Sequence, residues 1–535
     1  MNQAKAAKIG IAFLLGSSLT LSACTGSGTK QTEQTGQTGE SAKPSATAGS
    51  TEAPKEKLTL TWYVPAPANT NLPELSKDFV KQTIDKKFNV DLKLEYVSHE
   101  YINKINTLLA SNPPDMWRDA NGDGGLKYAT DGLLADMTPF LSTATMPNYF
   151  KYWVSETELK NYQFQNRFVR APIPFSKKVY RSYYIRKDWL DTLGLGIPTN
   201  YEEYVNVLRQ FRNNDPDRNG KKDTYGYTTA VGGDGIGLDW PEYIKNGLTF
   251  ASFIENNRFV DMQTDVKVEQ VLNDVAKVIE EDLIDPDWFL NKGSQGIEKA
   301  IQGKIGVLFD TFRNFALDSN VQGIQARTKQ LNPKAEWVPF TMFPGQPLAT
   351  QPLPGVPFLF SKKVADSNPE KVKRSLEILN WMSGEEGFLL THFGQENKHY
   401  TRDGKTIKLN IEAITNDITK QGDFLKIWSF FTPETPDVFG LTVSDPNETE
   451  HDRQVLKFLD TLPVRENLGS SILPPQGFDL GAYRKRQREL QAKAVLEEKS
   501  GQNWPKYREE LMTKYKGAEL YQEYESQLKA KGMIK

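Results

Sequence analysis

The sequence predicts an α/β protein of two large lobes or three domains, and three observations carry that expectation. At 535 residues the chain is far longer than one ordinary domain needs to bury a core. Short β-rich runs alternate with segments of helical spacing, the pattern of layered sheets whose strands run mostly parallel. No self-similarity exists at a period of roughly 20 to 50 residues, which argues against a solenoid or propeller.

The elements follow in order. Lys5 and Lys8 precede an apolar run from Ile9 to about Leu21. A basic flank ahead of an apolar stretch of about 13 residues is too short to span a bilayer and reads as a secretory signal over residues 1–23, the alternative being a buried N-terminal helix. Leu21, Ser22, Ala23 and Cys24 resemble the lipobox of bacterial lipoproteins, which implies cleavage before Cys24 and lipid attached to it. Cys24 is the only cysteine, so the chain has neither an internal disulfide nor a zinc site of several thiolates. Residues 24–57 are Gly, Ser, Thr, Gln, Pro and Ala with scattered charge and no aromatic side chain. Such a segment cannot bury enough apolar surface to offset chain entropy, and as a flexible tether it spans on the order of 30 Å.

Order begins at Leu58. Leu58–Val64 and Val90–Val97 read as strands, with a helix over Leu75–Phe88 between them and a third strand expected at Phe168–Ile173. Helical spacing covers Tyr101–Ala110, Tyr201–Phe211, Val266–Glu281, Pro369–Met382 and Arg484–Lys499. Charge is balanced at 66 Lys+Arg against 68 Asp+Glu, without a basic run, so nucleic acid is not an expected partner.

Catalytic motifs are missing. The sequence has no G-x-S-x-G elbow, no H-E-x-x-H, no phosphate loop of the Walker type and no G-x-G-x-x-G after a strand. Of the four histidines, His99, His392, His399 and His451, only His392 and His399 could share a helix face, and two polar residues near a helix end explain them as well. No pair of carboxylates stands out for glycoside hydrolysis. The expectation is therefore a protein that is not an enzyme.

The most specific local pattern is Asp215-Pro-Asp217-Arg-Asn219-Gly-Lys221-Lys-Asp223. Oxygen-bearing side chains at alternate positions converge on one hard cation, Gly220 permits the sharp turn, and Lys221 offers a backbone carbonyl. Gly226 stands where an EF-hand needs a bidentate Glu, so a compact calcium loop is the reading, against a polar turn of the same composition. A second stretch, Asp119, Asn121, Asp123 and Gly124, begins the same spacing and goes on with apolar and basic residues, which suits a turn or a ligand-contact loop better. No organic cofactor is expected.

The order of motifs resembles one family across nearly all of the chain after the signal. PPDMWRD (Pro113–Asp119), DGLLADMTPFL (Asp131–Leu141), YYIRKDWLDTLGL (Tyr183–Leu195), DPDRNGKKDTYGYT (Asp215–Thr228), LIDPDWF (Leu283–Phe289) and GKIGVLFD (Gly303–Asp310) follow the lipobox and tether, and the aromatic, charged tail near Tyr521 and Tyr524 closes the series. Together they are similar to the extracellular solute-binding lipoproteins (family 1) of bacterial ABC importers, nearest to the large carbohydrate-type, LipO-like members. Where related calcium loops often place Glu after the final Asp, this chain has Thr224.

That resemblance implies a two-lobed periplasmic-binding-protein fold of type II, with ligand in the cleft between lobes joined by a hinge. Lobe 1 is expected over 58–178 and 343–405, lobe 2 over 179–342 and 406–535. The crossings fall by analogy near Lys177–Arg181 and Phe340–Pro344, with a return around Thr401–Lys408. It also implies a carbohydrate ligand, permease subunits as partners, and a position on the outer face of the cell membrane. A peptide or other solute, or a surface-anchored carbohydrate-active enzyme, are the alternatives.

Ligands of open α/β sheets sit beyond the carboxyl ends of the strands. This rule selects Trp62 and Tyr63; Trp117, Arg118 and Asp119; Asp239 and Trp240; and Asp310 and Arg313. Each group pairs an aromatic or apolar neighbour with the polar side chain that sugar hydroxyls need. Trp189, Trp337 and Trp381 read as core.

Overall fold

In this computed structural model, residues 56–535 are described except 67–69, 98–99, 121–123, 161–162, 165–166, 171–180, 250, 350–356, 466 and 469–471. The signal, Cys24, nearly all of the tether, and most of the Lys177–Arg181 crossing lie outside the described residues.

Two four-stranded sheets organise the chain from Glu56 onward. The first has the order Phe358–Phe360, Met116–Arg118, Leu58–Pro65, Val90–Val97. The opening strand runs parallel to Val90–Val97 from Leu58↔Val90 to Pro65↔Val97 and parallel to Met116–Arg118, whereas Phe358–Phe360 is antiparallel. Its alternating burial puts Leu58, Leu60, Trp62 and Val64 in the core, as a period-two apolar pattern requires. Asp115 of the PPDMWRD run accepts the Thr61 N–H at 2.8 Å and pairs with Lys371 at 3.0 Å, so that motif locks the sheet to the helix Pro369–Met382.

The second sheet has the order Tyr225–Tyr227, Ile305–Asp310, Ser182–Arg186, Trp337–Phe340. Here the expectation of mostly parallel strands fails. Ser182–Arg186 enters from the opposite end and runs antiparallel to both neighbours, and only Tyr225–Tyr227 with Ile305–Asp310 is parallel. An antiparallel neighbour needs no parallel crossover connection, so the central strand is free to point the other way.

Each sheet has its own core. One gathers Trp62, Ile84, Leu92, Met116, Phe360, Leu379 and Trp428; the other gathers Tyr183, Trp189, Phe211, Trp240, Val271, Trp504 and Leu520. Tyr400, Ile407, Phe424, Trp428 and Leu441 belong to the first core, so the stretch 406–441, expected in lobe 2, packs in lobe 1. Thr401–Lys408 is not a crossing but part of a hairpin, Tyr400–Asp403 with Thr406–Leu409. The chain leaves the first core after the strand Thr442–Ser444 and turns to the second lobe with the helix Glu450–Thr461, whose Val455 and Leu459 form a small cluster with Leu317. The third crossing is therefore Asp445–Thr449. Phe168–Arg170 is not strand; the remainder of that expected element, to Ile173, is outside the described residues.

The other helices stand close to their expected places: Phe79–Phe88, Tyr101–Ala110, Tyr201–Asn213, Val268–Glu280, Pro369–Met382 and Leu480–Leu496. Trp189, Trp337 and Trp381 are core, as expected. His392 is half-buried, stacked on Phe388 at 4.1 Å, with desolvation pushing its imidazole down to about 4. Among the described residues no helix is long and apolar enough to cross a membrane.

Candidate functional site

The crossings define which sheet edges face each other. Phe340 ends a strand of the second sheet just before the chain returns to Phe358 of the first, and Ser182 starts the central strand just after the chain leaves lobe 1. The Ser182, Asp310 and Phe340 ends are therefore neighbours on one edge. Arg118, paired with Phe358, and Pro65, paired with Val97, form the corresponding edge of the first sheet.

On the lobe 1 edge the Tyr101 hydroxyl donates toward the carbonyls of Tyr63 (3.0 Å) and Arg118 (2.8 Å) and accepts the Arg118 N–H (3.1 Å). One phenol thus knits two strand ends. Arg118 is half-buried with its guanidinium 4.0 Å from the Phe430 ring centre, and desolvation pushes it down to about 10. Tyr63 is half-buried with the Lys104 ammonium 5.5 Å from its ring centre. Asp119 is buried, its N–H donating to Pro357 at 2.8 Å.

On the lobe 2 edge, burial pushes the Asp310 carboxyl up to about 6 although the N–H groups of Phe312 and Thr311 bond it. Arg313 reaches away to Asp460 at 2.8 Å. Asp239 is held by the Tyr227 hydroxyl at 3.1 Å, and its carbonyl accepts from Tyr183 at 2.7 Å. Burial raises its carboxyl above the usual range against hydrogen bonds from Thr229 and Tyr227. A Cβ at Gly237 would stand 2.0 Å from Asp239 Oδ1, so any larger residue there would displace the Asp239 carboxylate.

The three tryptophans expected as sugar plates are turned inward. Trp62 is 0% exposed and donates its indole N–H to Ser375 at 3.1 Å; Trp117 is 0% exposed against Tyr128; Trp240 is 1% exposed and packs edge-on to Trp288 and Tyr227. Both faces of these sheets are covered by helices or loops, so a large ring at a strand end is drawn into the core rather than left over the cleft.

A cavity of about 1090 Å³ opens between the lobes. Lys127, Asp131, Lys160 and Phe164 line it from lobe 1; Gln476, Phe478, Arg484, Arg488 and Lys531 line it from lobe 2. None of the nine residues expected to touch ligand lines it. It adjoins their loops, since Arg488 packs against Gly235 of the VGGDGIGLDW segment. Arg484 is tied to the buried Asp261 at 2.6 Å and Arg488 to Asp234 at 2.9 Å.

The Asp215–Asp223 loop is built for close acidic groups. Asp215 accepts the N–H groups of Asn219 (3.0 Å) and Gly220 (2.9 Å), and the Asn219 amide bridges Asp217 (2.9 Å) and Asp223 (3.1 Å). The Lys221 N–H is turned to Asn219 Oδ1 at 2.7 Å. Asp217 is raised by desolvation and by its hydrogen bond with Asp215, which is lowered chiefly by the Gly220 N–H; Asp223 is lowered chiefly by its ion pair with Lys304 at 2.7 Å. The donor set is all hard oxygen and suits calcium, but in this arrangement the Asn219 amide holds the centre. Among the described residues no three acidic, histidine or cysteine side chains are placed to hold a metal. Thr224 has a different task from the Glu of related loops: it is buried and donates to Phe211 O at 2.6 Å, closing the helix Tyr201–Asn213.

No protein-family model matches the chain. Lipoprotein LipO of Bacillus subtilis (strain 168) is 23% identical over 361 residues, 66% of this chain and 70% of that one. The fructooligosaccharide ABC transporter substrate-binding protein FusA of Streptococcus pneumoniae is 29% identical over 148 residues, 26% of each chain. This chain is similar to substrate-binding proteins of ABC transporters. Its fold agrees: an HMO-binding, ABC-transporter-associated solute-binding protein from Bifidobacterium longum infantis superposes with a TM-score of 0.64 at 16% identity, covering 88% of this chain and 99% of that one. An EF-hand mutant of FusA in complex with fructo-nystose superposes with a TM-score of 0.62 at 16% identity, covering 88% of this chain and 100% of that one.

Within this solute-binding fold, sequence reasoning missed Phe430, which lies under Arg118, and the whole Gln476–Lys531 wall of the cavity. Phe430 sits in a short apolar run, LKIWSFF, that reads as core. The cavity wall comes from the C-terminal helices, which carry no strand end to which the carboxyl-edge rule applies.

Proposed function

We propose that this protein is the lipid-anchored extracellular substrate-binding subunit of an ABC importer. It captures a carbohydrate, an oligosaccharide by the size of the space, between the lobes and delivers it chemically unchanged to a membrane permease. The observation that carries the reading is the interlobe cavity of about 1090 Å³ walled by both halves of the chain. A ligand that touches both walls binds the shut form better than the open one and so drives closure by its differential affinity. LipO is named a lipoprotein and FusA a fructooligosaccharide-binding protein, which supports both the anchor at Cys24 and the ligand class.

Thermal-shift measurements across a panel of saccharides and peptides test this. A native-state ligand raises the melting temperature, so oligosaccharides are expected to stabilise the protein and peptides are not. Stabilisation by peptides alone contradicts the carbohydrate assignment, and hydrolysis of the glycan contradicts the non-catalytic one.

Calcium in the Asp215–Asp223 loop is part of the same proposal. With Asn219 rotated out of the centre, Asp215, Asp217, Asn219, Asp223 and the Lys221 carbonyl supply the oxygens, and the ion replaces the hydrogen bond that Asp215 and Asp217 share. Chelation is then expected to lower the melting temperature of the wild type and to leave the Asp217→Ala/Asp223→Ala variant unchanged. An equal response in both would remove calcium from the loop.

A further inference from the structure

The aromatic side chains expected at the cleft are buried, yet one that was not expected is bare. Phe312 is 67% exposed. It lies two residues beyond Asp310, at the edge of the second sheet that faces the first lobe, where Ser182 and Phe340 mark the crossings.

Its loop is not free to move. The Phe312 N–H donates to Asp310 Oδ1 at 2.7 Å, and Phe315 and Ala316 are buried three and four residues on. The Ala316 carbonyl lies 3.0 Å from His451 Nε2, and the Asp452 carboxylate receives the N–H groups of Asp318 and Ser319. Arg313, next in sequence, is paired with Asp460 of the same helix. A helix from the far side of the third crossing therefore pins the segment from Arg313 to Ser319.

A large apolar ring in water contributes nothing to folding. A single bare apolar side chain is ordinary on a protein surface, and Leu290, Val321 and Leu331 are as exposed; what sets Phe312 apart is that it is aromatic and stands on a held loop at a sheet edge beside the crossings. The carboxylate two residues away narrows the chemistry. A flat apolar face beside a hydrogen-bond acceptor matches a pyranose or furanose ring, whose C–H groups line one face and whose hydroxyls project from the rim. On the corresponding edge of the first sheet, Arg118 stacked on Phe430 carries the kind of donors that a second sugar rim would need.

We propose that Phe312 is the stacking platform on the lobe 2 wall, taking the C–H face of one sugar ring while Asp310 accepts from that ring's hydroxyls. This rests on the carbohydrate reading above and adds the residue and subsite to it.

The test is calorimetric titration of the wild type and of Phe312→Ala, Phe312→Leu and Phe312→Trp with kestose, maltotriose, cellotriose and a trigalacturonide. Because the ring is exposed, all three variants are expected to melt within about 1 °C of the wild type. Phe312→Ala and Phe312→Leu are expected to lose about tenfold or more in affinity for whichever saccharide the wild type binds, the Leu variant showing that area without a π-face does not suffice. Phe312→Trp is expected to retain binding, and its added fluorescence to shift to the blue on saturation. Wild-type binding with Phe312→Ala equal to it within twofold would overturn the platform alone and move the bare ring to a contact with another protein. A wild type that binds none of the four overturns the carbohydrate reading, and the platform falls with it.

Discussion

Asp310 shows how much of the site is set by the environment of single side chains. Its folded carboxyl titrates at about 6, above the ordinary carboxylate value, because burial disfavours the charge. The folded protein therefore holds this proton more tightly than the unfolded chain does. The associated stability is complete in acid, is lost as pH rises from about 4 to about 6, and stays lost above that. Asp310→Asn is expected to melt close to the wild type at acid pH and a few degrees higher at neutral pH, while weakening ligand binding; melting curves across pH read the first effect and titration the second. A carboxylate kept at a cost to the fold is consistent with the ligand contact proposed for it. Its place at the strand end was legible in the sequence as the polar residue closing GKIGVLFD; its burial was not. The tryptophans were not, because a Trp at a strand end carries the same local signal whether it faces solvent or core, and only the packing of Ser375, Tyr128 and Trp288 around Trp62, Trp117 and Trp240 decides.

At the scale of elements, the helix Glu450–Thr461 has the most to say. It opens with a capping box in which Thr449 and Asp452 satisfy each other's backbone groups. The same Asp452 carboxylate also caps the Asp318–Ser319 turn, so one buried acid serves two segments over 130 residues apart in sequence. Asp452→Ala leaves those N–H groups without a partner and is expected to cost about 1–3 kcal/mol, seen as a lower urea midpoint. It is also expected to weaken saccharide binding more than Thr461→Ala at the far end of the helix does. A loss of stability with ligand affinity untouched would show that the helix does not position the Asp310–Arg313 loop. This one was not among the helices expected, whereas longer helices such as Val268–Glu280 and Pro369–Met382 were legible from apolar spacing. The hairpin Tyr400–Leu409 was not, since two short polar strands joined through Gly404 look like a surface crossing until Ile407 is seen to be buried in the first core.

For the whole molecule, the sequence made two lobes legible through length, alternation and motif order. What it could not supply was the set of ends that meet across the gap. Those depend on the central strand Ser182–Arg186 running against its neighbours and on the third crossing falling at Asp445–Thr449, both non-local outcomes. The proposed frame sets Arg118 and Phe430 on one wall and Asp310 and Phe312 on the other, beside the cavity. Its central claim is that a glycan is gripped by both walls at once. Labels at Lys127 and Gln476, on opposite sides of the cavity, in a Cys24→Ser chain, measure this by electron-spin distance. Saturating oligosaccharide is expected to shorten the Lys127–Gln476 distance and narrow its distribution; an identical distribution with and without bound saccharide would contradict the account.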